Sequence, residues 1–172
     1  MREADASWES RLAALWSEID RHEPQAFVSN VESLVAELPA RDAIGLFELA
    51  SAQDSTGHPD LAAPLYRAAL TAGLEGLRRR RATIQLASSL RNLGNPREAV
   101  ELLFIELDAP SDELDGAVRA FLALGLVDLG REREAAAQAL LALSKYLPRY
   151  NRSLARYASE MAPMLSKDRD AL

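Results

Sequence analysis

Apolar residues recur along this chain at helical intervals, and strand-like alternation is never sustained. Trp8, Leu12, Leu15, Trp16 and Ile19 fall on one stripe. Phe27, Val31, Leu34, Val35 and Leu38 form a second, which ends at Pro39. Helix-breaking residues then punctuate the chain at Gly57-His58-Pro59, Gly73 to Gly76, Gly94-Asn95-Pro96, Asp108 to Asp112, Gly130 and Pro148. The segments between them are rich in Ala and Leu, both strong helix formers. The pattern predicts nine helices, over residues 7–21, 24–38, 40–55, 59–73, 76–93, 96–108, 112–129, 132–146 and 149–166. Their links are short, as expected between antiparallel neighbours.

Three of these segments superpose on their glycines. Leu49-Ala50, Gly57, Ala62, Tyr66 and Ala69-Leu70 match Leu86-Ala87, Gly94, Ala99, Leu103 and Leu107. A third copy reads Leu122-Ala123, Gly130, Ala135, Ala139 and Ala142-Leu143, so the glycines stand 37 and 36 residues apart. Each glycine suits the left-handed residue that ends a first helix. Pro59 and Pro96 suit the first turn of a second helix, where a missing N–H costs little. The small Ala five residues after each glycine lets the two helices approach closely. This spacing resembles the tetratricopeptide repeat, a two-helix unit of about 34 residues, and the likeness covers residues 43–148.

Departures from that family are visible. Its early Trp is Leu46, Thr83 and Arg119 here, and its first-helix Tyr is Gln53, Leu90 and Leu126. Pro64, near the start of a second helix, predicts a local distortion. The stretch from Arg79 to Gly94, with Leu147-Pro148-Arg149-Tyr150 and Arg152-Ser153-Leu154, is similar to a short bacterial subclass of the family. The resemblance implies an all-α fold, a right-handed α-solenoid of about nine helices. A degenerate helix pair is expected over residues 1–39, three repeats over 40–148, and a capping helix and tail over 149–172, all in one structural domain. The cap would pack through Tyr150, Leu154, Tyr157, Met161 and Leu165, opposite Arg149, Arg152, Arg156 and Glu160. Trp8 and Trp16 share one apolar stripe at the other end, which favours core packing over a ligand box.

Composition narrows the function. Of 172 residues none is Cys, which excludes disulfides, thiolate metal sites and a cysteine nucleophile, and only two are His. The net charge is −6, whereas a nucleic-acid binder shows a basic face. Residues 1–70 carry 12 acids and 5 bases, so the acidity is concentrated there. No apolar run approaches the roughly 20 residues of a membrane span. The polar start Met1-Arg2-Glu3-Ala4-Asp5 does not read as a signal peptide. A cytoplasmic protein with neither nucleic acid nor membrane as partner is expected.

Candidate chemistry is thin. Ser55, His58 and Asp60 fall within one turn, where a triad cannot be assembled from across a fold. Asp112, Glu113 and Asp115 precede a helix, whose N-terminal end favours acids. There is no Gly-rich phosphate loop, no His-Glu-x-x-His and no paired zinc spacing. No catalytic residue, metal or cofactor is therefore expected. The run Arg78 to Arg81 cannot address one ligand, since successive helical residues point about 100° apart. Arg81, Gln85, Ser88 and Asn92, however, are spaced to share one face.

The resemblance implies that the first helices of the repeats line a concave groove. The positions matching that face are Ile44, Glu48, Ser51 and Ser55 before it, and Ala117, Phe121, Leu124 and Asp128 after it. Such a groove would grade from acidic and polar, through arginine-rich, to apolar. Arg81 and Arg91 are suited to grip a carboxylate or phosphate; alternatively, Glu48 neutralises Arg81. The Lys/Asn set of the chaperone-tail clamp is not supplied by Phe47, Ser51, Ile84 and Ser88. The expected function is a non-enzymatic scaffold that binds a protein or peptide carrying an acidic group. The rival is a self-associating structural protein, a homodimer for instance, whose groove holds its own termini or a second subunit.

Overall fold

The computed structural model describes residues 6–161. Among them are nine α-helices and no strand: α1 (Ala6–Ser17), α2 (Pro24–Val35), α3 (Ala43–Ser55), α4 (Pro59–Thr71), α5 (Gly76–Asn92), α6 (Pro96–Leu107), α7 (Asp115–Asp128), α8 (Glu132–Ser144) and α9 (Asn151–Met161). A single 3₁₀ turn, Ile19–Arg21, follows α1. The fold class is all-α, of the helical-repeat (α-solenoid) kind. The chain forms two compact units, the first ending at Ser89 and the second beginning at Leu90, within α5.

In the first unit, local chemistry sets the helix ends. The Asp42 carboxylate accepts from the Ile44 and Gly45 N–H groups at 2.9 and 3.1 Å, so α3 starts at Ala43 rather than at residue 40. Gly57 ends α3 at φ +88. Its N–H reaches the Asp54 carbonyl, and the His58 N–H reaches that of Gln53, 2.9 Å away. These bonds form a Schellman cap, and Gly73 closes α4 in the same way. Phe27, Val28, Val31 and Ala52 form a buried cluster joined by Leu15, Trp16, Ile19, Val35 and Leu49. Trp16 meets Phe27 edge-on, with ring centroids 5.0 Å apart. The crossing of α2 and α3 is tight, because a Cβ on Gly45 would lie 2.9 Å from the Val35 Cγ1.

The anticipated distortion at Pro64 is absent, and α4 is continuous through it. Proline removes the N–H that would bond the Asp60 carbonyl. Asp60 and Pro64 are both exposed, so water can take that place. The repeat's small residues behave as anticipated, with Ala50 and Ala62 fully buried, as are Phe47 and Tyr66.

In the second unit, Gly94 and Gly130 have φ +81 and +70 and carry the same cap. Asn95 N–H bonds the Leu90 carbonyl and Arg131 N–H that of Leu126, each at 2.9 Å. Ala99, Leu103 and Ala135 are buried, but Ala139, matched to Tyr66 and Leu103, is exposed. The neighbouring Gln138 is buried instead, and its Oε1 accepts from the Arg119 Nη1 at 2.5 Å. A polar pair thus joins α7 to α8 in the third repeat. α7 begins three residues later than anticipated. The Asp112 carboxylate accepts from Leu114 N–H, and the Asp115 carboxylate accepts from Asp112 N–H and the Ser111 hydroxyl, a local turn that holds the chain out of the helix.

The register of α9 also differs. Ala158 is its fully buried residue, with Leu154 and Met161 half-buried beside it, while Tyr150 and Tyr157 are 77% and 53% exposed. Tyr150 sits at φ +65, ahead of the helix start, so it takes no part in the helical stripe. The buried face is rotated by about one residue from the expected Tyr150–Tyr157 line. Leu165 lies outside the described residues.

Candidate functional site

The arginine run at the start of α5 separates in space, as helical geometry requires. Arg80 is buried and Arg81 exposed. Arg78 is half-buried and faces α1: its Nη1 and Nη2 donate to the two Glu9 carboxylate oxygens at 2.9 and 2.6 Å. Its Nε donates to the Glu48 Oε1 at 3.2 Å. The other Glu48 oxygen accepts from the Trp16 indole N–H at 2.9 Å. Glu48 is only 4% exposed, and burial pushes its carboxyl above the usual range against the opposing pull of Arg78, Trp16 and Arg81. The hydrogen bonds that Arg78 donates to Glu9 hold its guanidinium above its ordinary value.

Glu48 therefore does not present an acidic face to solvent, as its repeat position suggested. It lies beneath Trp16 and is bonded to Arg78, not to Arg81. Ser51 is likewise buried, with the Tyr66 hydroxyl 3.5 Å from its Oγ. Asp54, one turn on, accepts from Ser89 Oγ at 3.0 Å and Tyr66 OH at 3.4 Å. Burial raises the Asp54 carboxyl and the Tyr66 phenol above their ordinary values. Ile44, Gln85 and Ser88 are half-buried and Ser55 is exposed. The Gln85 Oε1 is buried without a hydrogen bond. Arg81 lies over the Phe47 ring, 5.3 Å from its centroid, and among the described residues it makes no ion pair. The ring contact restrains the arginine and leaves its edges open.

In the second unit Arg91 is paired with Asp128 through its Nε, so this arginine is already engaged. Asn92 and Leu124 are exposed, and Ala117 and Phe121 half-buried. Arg131, at the turn before α8, forks onto Glu134 at 2.7 and 2.6 Å and stacks over Phe104. A shallow depression beside it, about 410 Å³, is lined by Gly130 to Glu134, Glu160 and Met161. Ser55, His58 and Asp60 are all exposed, around the turn between α3 and α4.

Spacing along single helices did not disclose Glu9, Trp16, Glu48 and Arg78 as one polar network. Arg78 was visible only as part of a charge run, and Trp16 only as an apolar stripe member. Their meeting depends on α1 crossing α3 and the start of α5, which no local pattern encodes.

Among the described residues no group of three or more His, Cys, Asp or Glu could hold a metal ion, and no helix is long and apolar enough to cross a membrane. No curated protein and no solved structure matches the chain. The family model described as Tetratrico peptide repeat matches residues 43–161, a span holding all three glycine-centred copies and α9. With that match, the capped helix pairs and their buried alanines, the chain belongs to the tetratricopeptide-repeat family.

Proposed function

We propose that the chain is a non-enzymatic scaffold that takes a protein or peptide segment along the α5 face carrying Arg81, Gln85, Ser88 and Asn92. Tetratricopeptide repeats generally mediate protein–protein interaction and scaffolding, and the family is typically non-catalytic. The observation that carries the reading is Arg81: exposed, stacked on Phe47, and without an ion pair among the described residues. A guanidinium so restrained meets a carboxylate with little further loss of freedom. Ser88, half-buried on the same helix, and the exposed Ser55 of α3 offer hydroxyls within the first unit. The proposed setting is the cytoplasm, with an acidic peptide segment as partner rather than nucleic acid or membrane.

The test is a photo-crosslinking amino acid placed at Ser88 or, as control, at Arg97, an exposed residue of α6. Partner adducts should form from Ser88, vanish with Arg81→Glu, and be weak from Arg97. Adducts indifferent to Arg81→Glu would sink the reading. Arg91 is a poor companion substitution, since its reversal also breaks the pair with Asp128.

A second reading, self-association, is favoured by exposed apolar residues of the second unit: Ile105, Leu124, Val127 and Leu143. Light scattering across a concentration series separates the two, a monomer supporting partner binding.

A further inference from the structure

The contact between Glu9 and Arg78 has the form of a bound ligand. Two guanidinium nitrogens meet two carboxylate oxygens at 2.9 and 2.6 Å, fork to fork, between residues 69 positions apart. The pair stays within reach of water, the Arg78 and Glu9 side chains being 29% and 34% exposed. Arg78, Arg81 and Gln85 are spaced three and four apart on α5, so they share one face. That face holds one arginine whose Nη edge is filled by Glu9 while its Nε stays on the buried Glu48 and, about 5 Å further along the helix, an exposed one with no ion pair among the described residues.

Glu9 is not what seats α1. Trp8 and Leu12 are 2% and 3% exposed, Leu15, Trp16 and Ile19 pack on the Phe27 cluster, and the Trp8 indole N–H bonds the Leu34 carbonyl at 2.8 Å. Burial on that scale outweighs a part-exposed ion pair several-fold. The Glu9 side chain can therefore leave Arg78 while α1 remains in place.

We infer that Glu9 is a built-in pseudo-ligand: an intramolecular carboxylate that occupies Arg78 until an acidic peptide bound at Arg81 replaces it. This rests on the binding reading above. The occupant is an extended segment with acids at alternate positions, about 7 Å apart, a spacing long enough to bridge arginines one helical turn apart. Glu9 then sets a threshold. A segment with one acid engages Arg81 alone, and a segment with two engages both arginines.

The experiment titrates the full chain by NMR with the blocked peptide acetyl-Ala-Glu-Ala-Glu-Ala-amide, following arginine Nε–H signals. If Glu9 covers Arg78 for about nine-tenths of the time, Glu9→Gln should tighten peptide binding about tenfold. The double variant Glu9→Gln/Arg78→Gln should lose that gain, and added salt should weaken binding throughout. Amide protection of α1 should persist in Glu9→Gln; its collapse would show that Glu9 holds the helix and would overturn the inference. Equal affinity of wild type and Glu9→Gln overturns it too, while peptide-induced shifts at Arg81 would still support the binding reading. Binding by none of the variants also overturns it and leaves the Ser88 cross-link to decide the binding reading separately.

Discussion

Replacing Gly94 by valine isolates the weight of one left-handed residue. Gly94 sits at φ +81. Its own N–H and that of Asn95 reach back to the Arg91 and Leu90 carbonyls at 3.0 and 2.9 Å. A Cβ added there meets nothing within 4 Å, so any penalty arises from the backbone rather than from crowding by neighbours. An L-residue in this conformation loses about 1–2 kcal/mol, with β-branched residues at the upper end. Stiffening of the unfolded chain returns about 0.4–1 kcal/mol, leaving a net loss of about 1–1.5 kcal/mol. For a chain of this size that lowers Tm by about 2–6 °C. Asparagine tolerates the left-handed region better, so thermal unfolding followed by far-ultraviolet circular dichroism should rank glycine above asparagine above valine. Hydrogen exchange should place the loss at the end of α5 and the start of α6. A valine variant that melts with wild type, or an asparagine variant no better than valine, would refute the reasoning.

Three further outcomes are expected. Gly125→Ala puts a Cβ 2.8 Å from the Val100 Cγ2; it should cost about 1–3 kcal/mol, and Val100→Ala in the same chain should recover part of the loss in a denaturant-unfolding cycle. The Glu48 carboxyl is raised by burial above its ordinary value of 4.5, so above that pH the native state holds its proton longer than the unfolded state does. The Glu48 contribution to stability is thus full below the unfolded value and falls as pH rises through the folded one. Wild type minus Glu48→Gln should accordingly shrink from acid to neutral pH in denaturant titrations, and a difference that grows would reverse the assignment. Ala158→Glu places a charge where α9 is fully buried, and it should release the helix and raise binding of a hydrophobic dye; an unchanged dye signal would show that α9 is loosely held.

What could be read from the chain alone was whatever is encoded locally. Gly57, Gly94 and Gly130 announce helix ends because only glycine adopts a positive φ cheaply, and Pro59 and Pro96 mark the starts that follow. The match at Ala62, Ala99 and Ala135 was legible because close helix approach demands a small residue at that one place. The α9 register was not, because the turn at Tyr150 leaves the helical conformation just before the helix begins and displaces the apolar count. Ala139 matched the repeat by position, yet Gln138 carries the contact, since Arg119 stands where the family's tryptophan would be and needs a polar mate. The candidate face was legible on α5, where one helix fixes the geometry. Glu48 was misplaced because its environment is decided by α1, whose Glu9 and Trp16 lie 39 and 32 residues earlier in the chain.

Both tryptophans of the chain, Trp8 and Trp16, lie in α1, and this makes the protein self-reporting. Excited selectively, their emission follows the seating of that one helix: Trp8 buried with its indole N–H on the Leu34 carbonyl, Trp16 against Phe27 and the Glu48 carboxylate. The second unit contributes no indole. Three of the four tyrosines, Tyr146, Tyr150 and Tyr157, belong to it and are exposed, while Tyr66 is buried in the first. Emission from the indoles therefore sees one end of the chain, and ellipticity sees all of it. Comparing the two signals during unfolding measures, without any label, whether the units come apart as one body or in sequence.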